Sequence, residues 1–219
     1  MNIAQEDARL PILRAAPQPG ALVGLPGDCS GLDVFDLDFE EAGRVMVDHL
    51  HRLGHRELIL ISHPEHVVER GGAYVWRLRD AALERARRLG VTLHAVYGES
   101  RQPAVGRLLH RLLDAYPAAT GLLINNEAAA AALPSVTYER GQRVPEDLSV
   151  IGRYSADFAA TFSLPYSFVE SAPDRLGSMA VRQLVRRVES AAARKEPSVV
   201  RFISPELVSR GSTAPPRSP

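Results

Sequence analysis

Three short apolar runs, at 58–61, 121–124 and 148–152, are each followed at once by residues able to do chemistry: His63, the stretch 125–127 with its two asparagines and Glu127, and 153–157 with Arg153, Tyr154 and Asp157. If the runs are strands of one parallel sheet, all three groups stand at its carboxyl edge, where open α/β sheets bind ligands. Carboxylates and amides there accept and donate hydrogen bonds to hydroxyl groups, and an aromatic face can stack on a sugar ring. His63 and His66 also sit in a loop at that edge, where solvated histidines are commoner than ligand contacts. Other chemistry finds less support. His49, His51 and His55 lie at or beyond the end of one helix, and the i, i+2 spacing of the first two turns them to different faces, which argues against a metal site. The chain has no Gly-rich phosphate loop closing on Lys-Ser/Thr, no Gly-x-Ser-x-Gly elbow and no Cys-x-x-Cys. Neither cofactor nor metal nor enzymatic activity is expected. Arg85, Arg87 and Arg88, and Arg182, Arg186 and Arg187, fall on amphipathic helices and read as solvated faces rather than a nucleic-acid patch.

The elements that must position these groups alternate. Residues 140–152 (Arg-Gly-Gln-Arg-Val-Pro-Glu-Asp-Leu-Ser-Val-Ile-Gly) hold a helix end, a turn and a buried strand: Gly141 closes the helix, Pro145 prevents its return, and Leu148, Val150 and Ile151 read as a strand covered on both faces. Strands are predicted at 21–25, 34–37, 58–61, 92–96, 121–124, 166–169, 199–202 and 206–209, with helices at 39–53, 74–89, 105–115, 128–140 and 172–193. Pro134 is expected to bend its helix. Residues 1–20, with three prolines, read as a connection, and 154–165 as a long loop. Connections this short permit only crossovers, so the fold class is α/β with parallel sheets and helices on both faces. A chain of 219 residues, 45% hydrophobic, can bury a substantial core, and 26 acidic against 26 basic residues leave no global field for nucleic acid or an anionic membrane. A lone Cys29 suits a reducing compartment, and no secretion signal or membrane span is recognisable, so a cytoplasmic location is expected.

Several segments, in this order, resemble the effector-binding domain of the LacI/GalR family of bacterial transcriptional repressors: Asp38 to Leu50, Leu-Gly-His-Arg at 53–56 before an apolar strand, Asn126-Glu127, Val-Pro-Glu-Asp-Leu-Ser-Val-Ile-Gly at 144–152, Leu176-Gly177 with Ala180-Val181, and Arg-Gly-Ser-Thr at 210–213. The resemblance implies a type I periplasmic-binding-protein-like fold of two doubly wound parallel-sheet lobes. It also implies an effector in the cleft between them and a homodimer acting on operator DNA through a separate N-terminal headpiece. By the same comparison residues 1–31 form a remnant of a first lobe truncated at its N-terminus, 32–213 the interleaved sensor domain and 214–219 a disordered tail. The family's usual aromatic-Asp-Asp after the central strand is replaced by Arg153-Tyr154-Ser155, and no Gly-aromatic pair follows Arg77. Carried over residue by residue, the effector site comprises Asp38, Arg77, Asn126, Tyr154 and Asp157, with helix capping as the alternative role for Asp38 and Asn126. Its chemistry suits a neutral polyol, a sugar or nucleoside-like metabolite. A stand-alone periplasmic-type sugar-binding protein is the alternative reading.

Overall fold

The computed structural model describes residues 3–217. Its larger sheet orders six strands as β4-β3-β5-β6-β7-β9: Thr92–Tyr97 (β4), Glu57–Ser62 (β3), Gly121–Ile124 (β5), Ser149–Tyr154 (β6), Ser167–Glu170 (β7) and Glu206–Val208 (β9). All neighbours are parallel except β9, which runs antiparallel to β7 at the edge. The period of two in the central runs decides the layers. Ile59, Ile61, Leu122, Ile124 and Val150 face one core with Ala104–Ala115 (α5) and Glu127–Glu139 (α6), while Leu58, Leu60, Leu123 and Ile151 face the other with Phe39–Arg52 (α2) and Ala73–Arg88 (α4).

A smaller sheet, Ala21–Val23 (β1), Asp33–Leu37 (β2) and Val200–Ile203 (β8), is wholly parallel in the order β1-β2-β8. The helix Pro173–Glu189 (α8) packs on it through Leu176 and Ala180. Asp33 accepts a two-pronged contact from Nε and Nη2 of the Arg187 guanidinium, each at 2.8 Å, and it also accepts from Gln183 at 3.0 Å and the Val199 amide at 2.9 Å. The chain crosses between the lobes three times, after β2, after β7 and between β8 and β9.

The alternation expected from the sequence is present, and the differences have local causes. Residues 10–15 form a short helix (α1, Leu10–Ala15) in the stretch expected as a connection, because Leu10 joins Leu22, Leu32 and Val34 in a small core with Ile3 and Leu13 against it. Short helices also occupy Glu65–Glu69 (α3) and, inside the expected long loop, Ala156–Ala159 (α7). The last long helix ends at Glu189, where Ser190 leaves helical geometry and caps Ala191–Arg194 (α9). α6 continues through Pro134, with the Thr137 hydroxyl donating to the Leu133 carbonyl at 3.0 Å.

The segments of the Leu-Gly-His-Arg and Arg-Gly-Ser-Thr motifs meet at the amino end of the large sheet. His55 Nε2 donates to the Ala214 carbonyl at 3.0 Å, which leaves Nδ1 to accept from the Thr120 hydroxyl at 2.7 Å. The Ser212 hydroxyl donates to Val150 O and accepts from Ser167 N. Ala214, expected in the tail, is therefore held by His55 and by Ser149 on both its amide and its carbonyl, and Arg217 pairs with Asp147 at 2.7 Å. Among the described residues no helix is long and apolar enough to cross a membrane. The outer face of α8 carries exposed Val181, Val185 and Val188, and the open edge of β8 carries Val200 and Phe202.

Two outcomes follow from this packing. α2 crosses α4 at Gly43, where a Cβ would stand 2.3 Å from the Leu78 carbonyl oxygen, a backbone atom that cannot swing aside. Gly43→Ala is expected to destabilise by about 2–3 kcal/mol. Gly177→Ala, on α8 with nothing within 4 Å of the added carbon, is expected to be neutral or stabilising. Urea melts of both variants check the contrast. The second concerns pH: burial lowers His49, His55 and His63 below their ordinary value of 6.5. Each takes up a proton less readily in the fold than in the unfolded chain, which protonates as pH falls through 6.5, so the stability they carry is present above that value and is lost on acidification. The urea midpoint should drop between pH 7.5 and 5.5, and His55→Gln should reduce the drop.

Candidate ligand-binding cleft

Parallel register places the chemistry. Ile61, Ile124 and Gly152 are level across β3, β5 and β6, so the following residues, Ser62, Asn125 and Arg153, emerge together at one end of the sheet. Facing them across a cavity of about 480 Å³ are the carboxyl ends of β1 and β2 in the smaller lobe. Its polar wall is made by Asp36, His63, Glu127 and Arg153, and its aromatic wall by Phe39 and Tyr74.

The charges in this wall are paired. Arg77 Nη1 donates to Asp36 Oδ2 at 2.9 Å with both side chains 7% exposed, and its guanidinium lies 5.8 Å from the Phe39 ring and 5.5 Å from that of Phe202. Arg77 stands on α4 of the larger lobe, and Asp36 and Phe202 on strands of the smaller, so this contact joins the lobes. Burial raises the Asp36 carboxyl above its ordinary value, with Arg77 working in the other direction. On the other wall Arg153 donates from Nε to Asn125 Oδ1 at 2.8 Å, lies 5.5 Å from the Phe39 ring, and stands 3.7 Å from Glu127. His63 Nδ1 is 3.8 Å from the same carboxylate, and its ring meets Tyr74 edge to face at 5.3 Å. Burial pushes the His63 imidazole down; Glu127 raises it and Arg153 lowers it further.

The amino-terminal segment also bridges the lobes. Gln5 N donates to Gly71 O at 3.0 Å in the larger lobe, Gly27 N donates to Gln5 O at 2.9 Å in the smaller, and Ile3 lines the cavity.

The five residues singled out from the sequence are dispersed around this cavity. Asp38 caps α2, accepting from Glu41 N at 3.0 Å, and Asn126 caps α6, accepting from Ala129 N at 2.9 Å while its amide donates to Ser62 O and Glu99 O. Tyr154 is 2% exposed in an aromatic cluster with Phe158 and Phe162, and burial drives its phenol upward. Asp157 is exposed in the first turn of α7. The Arg77 side chain reaches a cavity residue, Asp36, and Tyr154 bonds to another, Ser171, through its backbone carbonyl. The wall residues His63, Glu127 and Arg153 were marked by their place after strands. Asp36, Phe39 and Tyr74 were not, since only the pairing of distant elements brings them there. No group of three or more His, Cys, Asp or Glu able to hold a metal occurs among the described residues.

Two lobes crossed three times by the chain, with a polar and aromatic cleft at the carboxyl ends of both sheets, define a binding domain of the periplasmic-binding-protein type. The sequence matches the family described as a periplasmic binding protein-like domain over residues 47–213. A helix-turn-helix transcriptional regulator of Streptomyces limosus is 30% identical over 187 residues, covering 81% of this chain and 49% of that protein. The crystal structure of a LacI family regulator from Bifidobacterium animalis superposes with a TM-score of 0.79 at 25% identity, over 96% of this chain and 75% of that one. A LacI family regulator from Enterococcus faecium with bound ribose shares the fold, with a TM-score of 0.74 at 22% identity over 90% and 71% of the two chains. The chain belongs to the periplasmic-binding-protein-like domains of the LacI/GalR family. It spans about half the length of the curated relatives it matches.

The Asp36–Arg77 pair makes an asymmetric prediction. Removing one member of a buried pair costs about 3–5 kcal/mol because it strands the other charge. A stranded Asp36 can take up a proton, whereas a stranded guanidinium cannot lose one. Arg77→Leu should therefore cost less than Asp36→Leu, and its deficit should shrink as pH falls from 7 to 5. Urea titrations at the two pH values give the comparison; equal costs would show that the pair is solvated.

Proposed function

We propose that this domain senses a small, uncharged, hydroxyl-rich metabolite, a sugar or nucleoside, whose binding changes the closure of the two lobes. The observation that carries the reading is the charge pairing in the cleft: Asp36 is matched by Arg77 and Glu127 by Arg153, and His63 is held toward its neutral form. A cavity with no net charge offers an anion no Coulombic gain, while its carboxylates, amide and guanidinium still bond hydroxyls and Phe39 and Tyr74 offer ring faces. The ribose bound by the Enterococcus faecium relative belongs to the same ligand class. In the whole protein, which we take to be a cytoplasmic homodimer, closure would alter the spacing of two operator-reading headpieces, so that effector and DNA binding are coupled. The ligand is released unchanged, without turnover.

In this reading the sequence-marked residues act at different removes. Arg77 fixes the Asp36 carboxylate, Asn126 ties the 98–99 turn to α6, Asp38 sets the start of α2 beside Phe39, and Tyr154 supports Gly152 from beneath. Asp157 is exposed next to Ala156, whose amide donates to Glu170.

Calorimetric titration of D-ribose, cellobiose and purine nucleosides is the test. One of these should bind, and Asp36→Asn and Arg153→Ala should weaken it by about tenfold or more, the equivalent of 1.4 kcal/mol. Asp157→Ala separates two versions of the site, since loss of affinity adds Asp157 to it and unchanged affinity leaves the ligand to the cavity wall. Failure of every compound at millimolar concentration, or wild-type affinity in both wall variants, overturns the reading.

A further inference from the structure

His63 enters the cleft from the turn after β3 with its side chain 14% exposed, and its Nε2 is buried without a hydrogen-bond partner. Three other buried side-chain atoms among the described residues share that condition: Ser62 Oγ, Asn125 Nδ2 and Tyr154 Oη. All four stand at the carboxyl ends of β3, β5 and β6. Of these four residues His63 is the one that lines the cavity, and because a buried polar atom left unpaired costs about 1–3 kcal/mol, its Nε2 keeps hydrogen-bonding capacity for an incoming group. Glu127 adds to it. Its carboxylate is 3.7 Å from Arg153 and 3.8 Å from His63, beyond hydrogen-bond reach of either, and it is 44% exposed.

We propose that His63 and Glu127 together read two adjacent hydroxyl groups of the ligand, and that protonation of His63 switches the pair off by drawing the Glu127 carboxylate into an internal ion pair. The proposal rests on the reading of the cleft as a polyol site. With the imidazole neutral and Nδ1–H toward Glu127, Nε2 accepts a hydrogen bond from one hydroxyl while a carboxylate oxygen accepts one from its neighbour. A vicinal diol supplies both donors. A phosphate or carboxylate group in the same place has no proton to give and faces Glu127 and, across the cavity, Asp36. The site thus selects a free polyol over its phosphorylated or acidic form.

The groups facing His63 come from every side of the cleft: Glu127 from α6, Arg153 from β6, Tyr74 from α4 and Asp36 from β2. Burial and Arg153 keep the ring neutral at pH 7, against the pull of Glu127. Acidification below the ordinary imidazole value of about 6.5 adds the proton, and the imidazolium then competes with the ligand for the carboxylate.

Two measurements test this. First, the ring proton resonances of His63 are followed by NMR against pH in the ligand-free protein. They should titrate below the ordinary value, and lower still in Glu127→Gln; a value at or above 6.5 overturns the proposal. Second, D-ribose, cellobiose and ribose 5-phosphate are titrated at pH 7.5 and 5.5 into the wild type and His63→Gln. The wild type should lose sugar affinity a few-fold on acidification, less than the roughly tenfold that one linked proton titrating at 6.5 would give. The phosphate ester should bind at least about tenfold more weakly than its parent sugar. His63→Gln should weaken binding a few-fold at pH 7.5 and abolish the pH dependence. If neither sugar binds the wild type, the polyol reading of the cleft falls and this proposal with it. If a sugar binds and His63→Gln keeps the wild-type pH dependence, only this proposal falls.

Discussion

The site depends on the register of three parallel strands. Because side chains alternate faces along a strand, a slip of β5 against β3 by a single residue would turn Asn125 away from the cleft and the apolar set of β5 out of its cores. The opposite end of the sheet fixes that register. Gly121 lies level with Leu58 and Ser149, and a Cβ on it would come within 2.5 Å of the Leu58 side chain and 2.9 Å of that of Leu50, so a larger residue there would require both leucines to shift. Beside it hydrogen bonds run from Thr120 to His55, from His55 to Ala214 and between Ala214 and Ser149, while the Ser212 hydroxyl donates to Val150 O. The motif residues that mark the family in the sequence are thus largely structural. They hold one end of the sheet so that the other can carry the chemistry.

Much of this architecture is legible in the sequence because it rests on local period. The runs at 58–61, 121–124 and 149–151 alternate between two cores, and the helices at α2 and α5 show their inner faces at helical spacing. What local pattern cannot show is pairing across distance. Asp36 and Arg77 are 41 residues apart, and nothing around either announces the other. The same holds for α1, since three prolines and sparse apolar residues look like a connection until Leu32 and Val34 supply a partner surface for Leu10 and Leu13.

The site residues show a second kind of limit. A short side chain with an oxygen acceptor between a strand and a helix can cap the helix or touch a ligand, and the local sequence is the same for both. In the structure Asp38 and Asn126 have their acceptor oxygens engaged as caps. His63 presents the reverse case. A histidine beside a proline after a strand reads as a solvated loop residue, and its burial comes from Tyr74, Glu127 and Arg153 on three separate elements. Exposure is a tertiary property, which is why the sequence ranked His63 below residues that the fold engages elsewhere.

In the proposed reading, Arg153 lets the cleft combine charged groups with a neutral ligand. Its guanidinium is held by Asn125 and by the Phe39 face, so it cannot swing freely toward an incoming anion. From that position it offsets Glu127, as Arg77 offsets Asp36, and the two pairs leave hydrogen-bonding direction without net field. Binding energy for an uncharged ring must then come from geometry: desolvation of aromatic faces and hydrogen bonds completed only when both lobes meet the ligand. Arg77 and Gln5 link the lobes through the protein itself, so a ligand need favour a closed arrangement only by its additional contacts. Selectivity in such a cleft follows from where hydroxyl protons point rather than from charge.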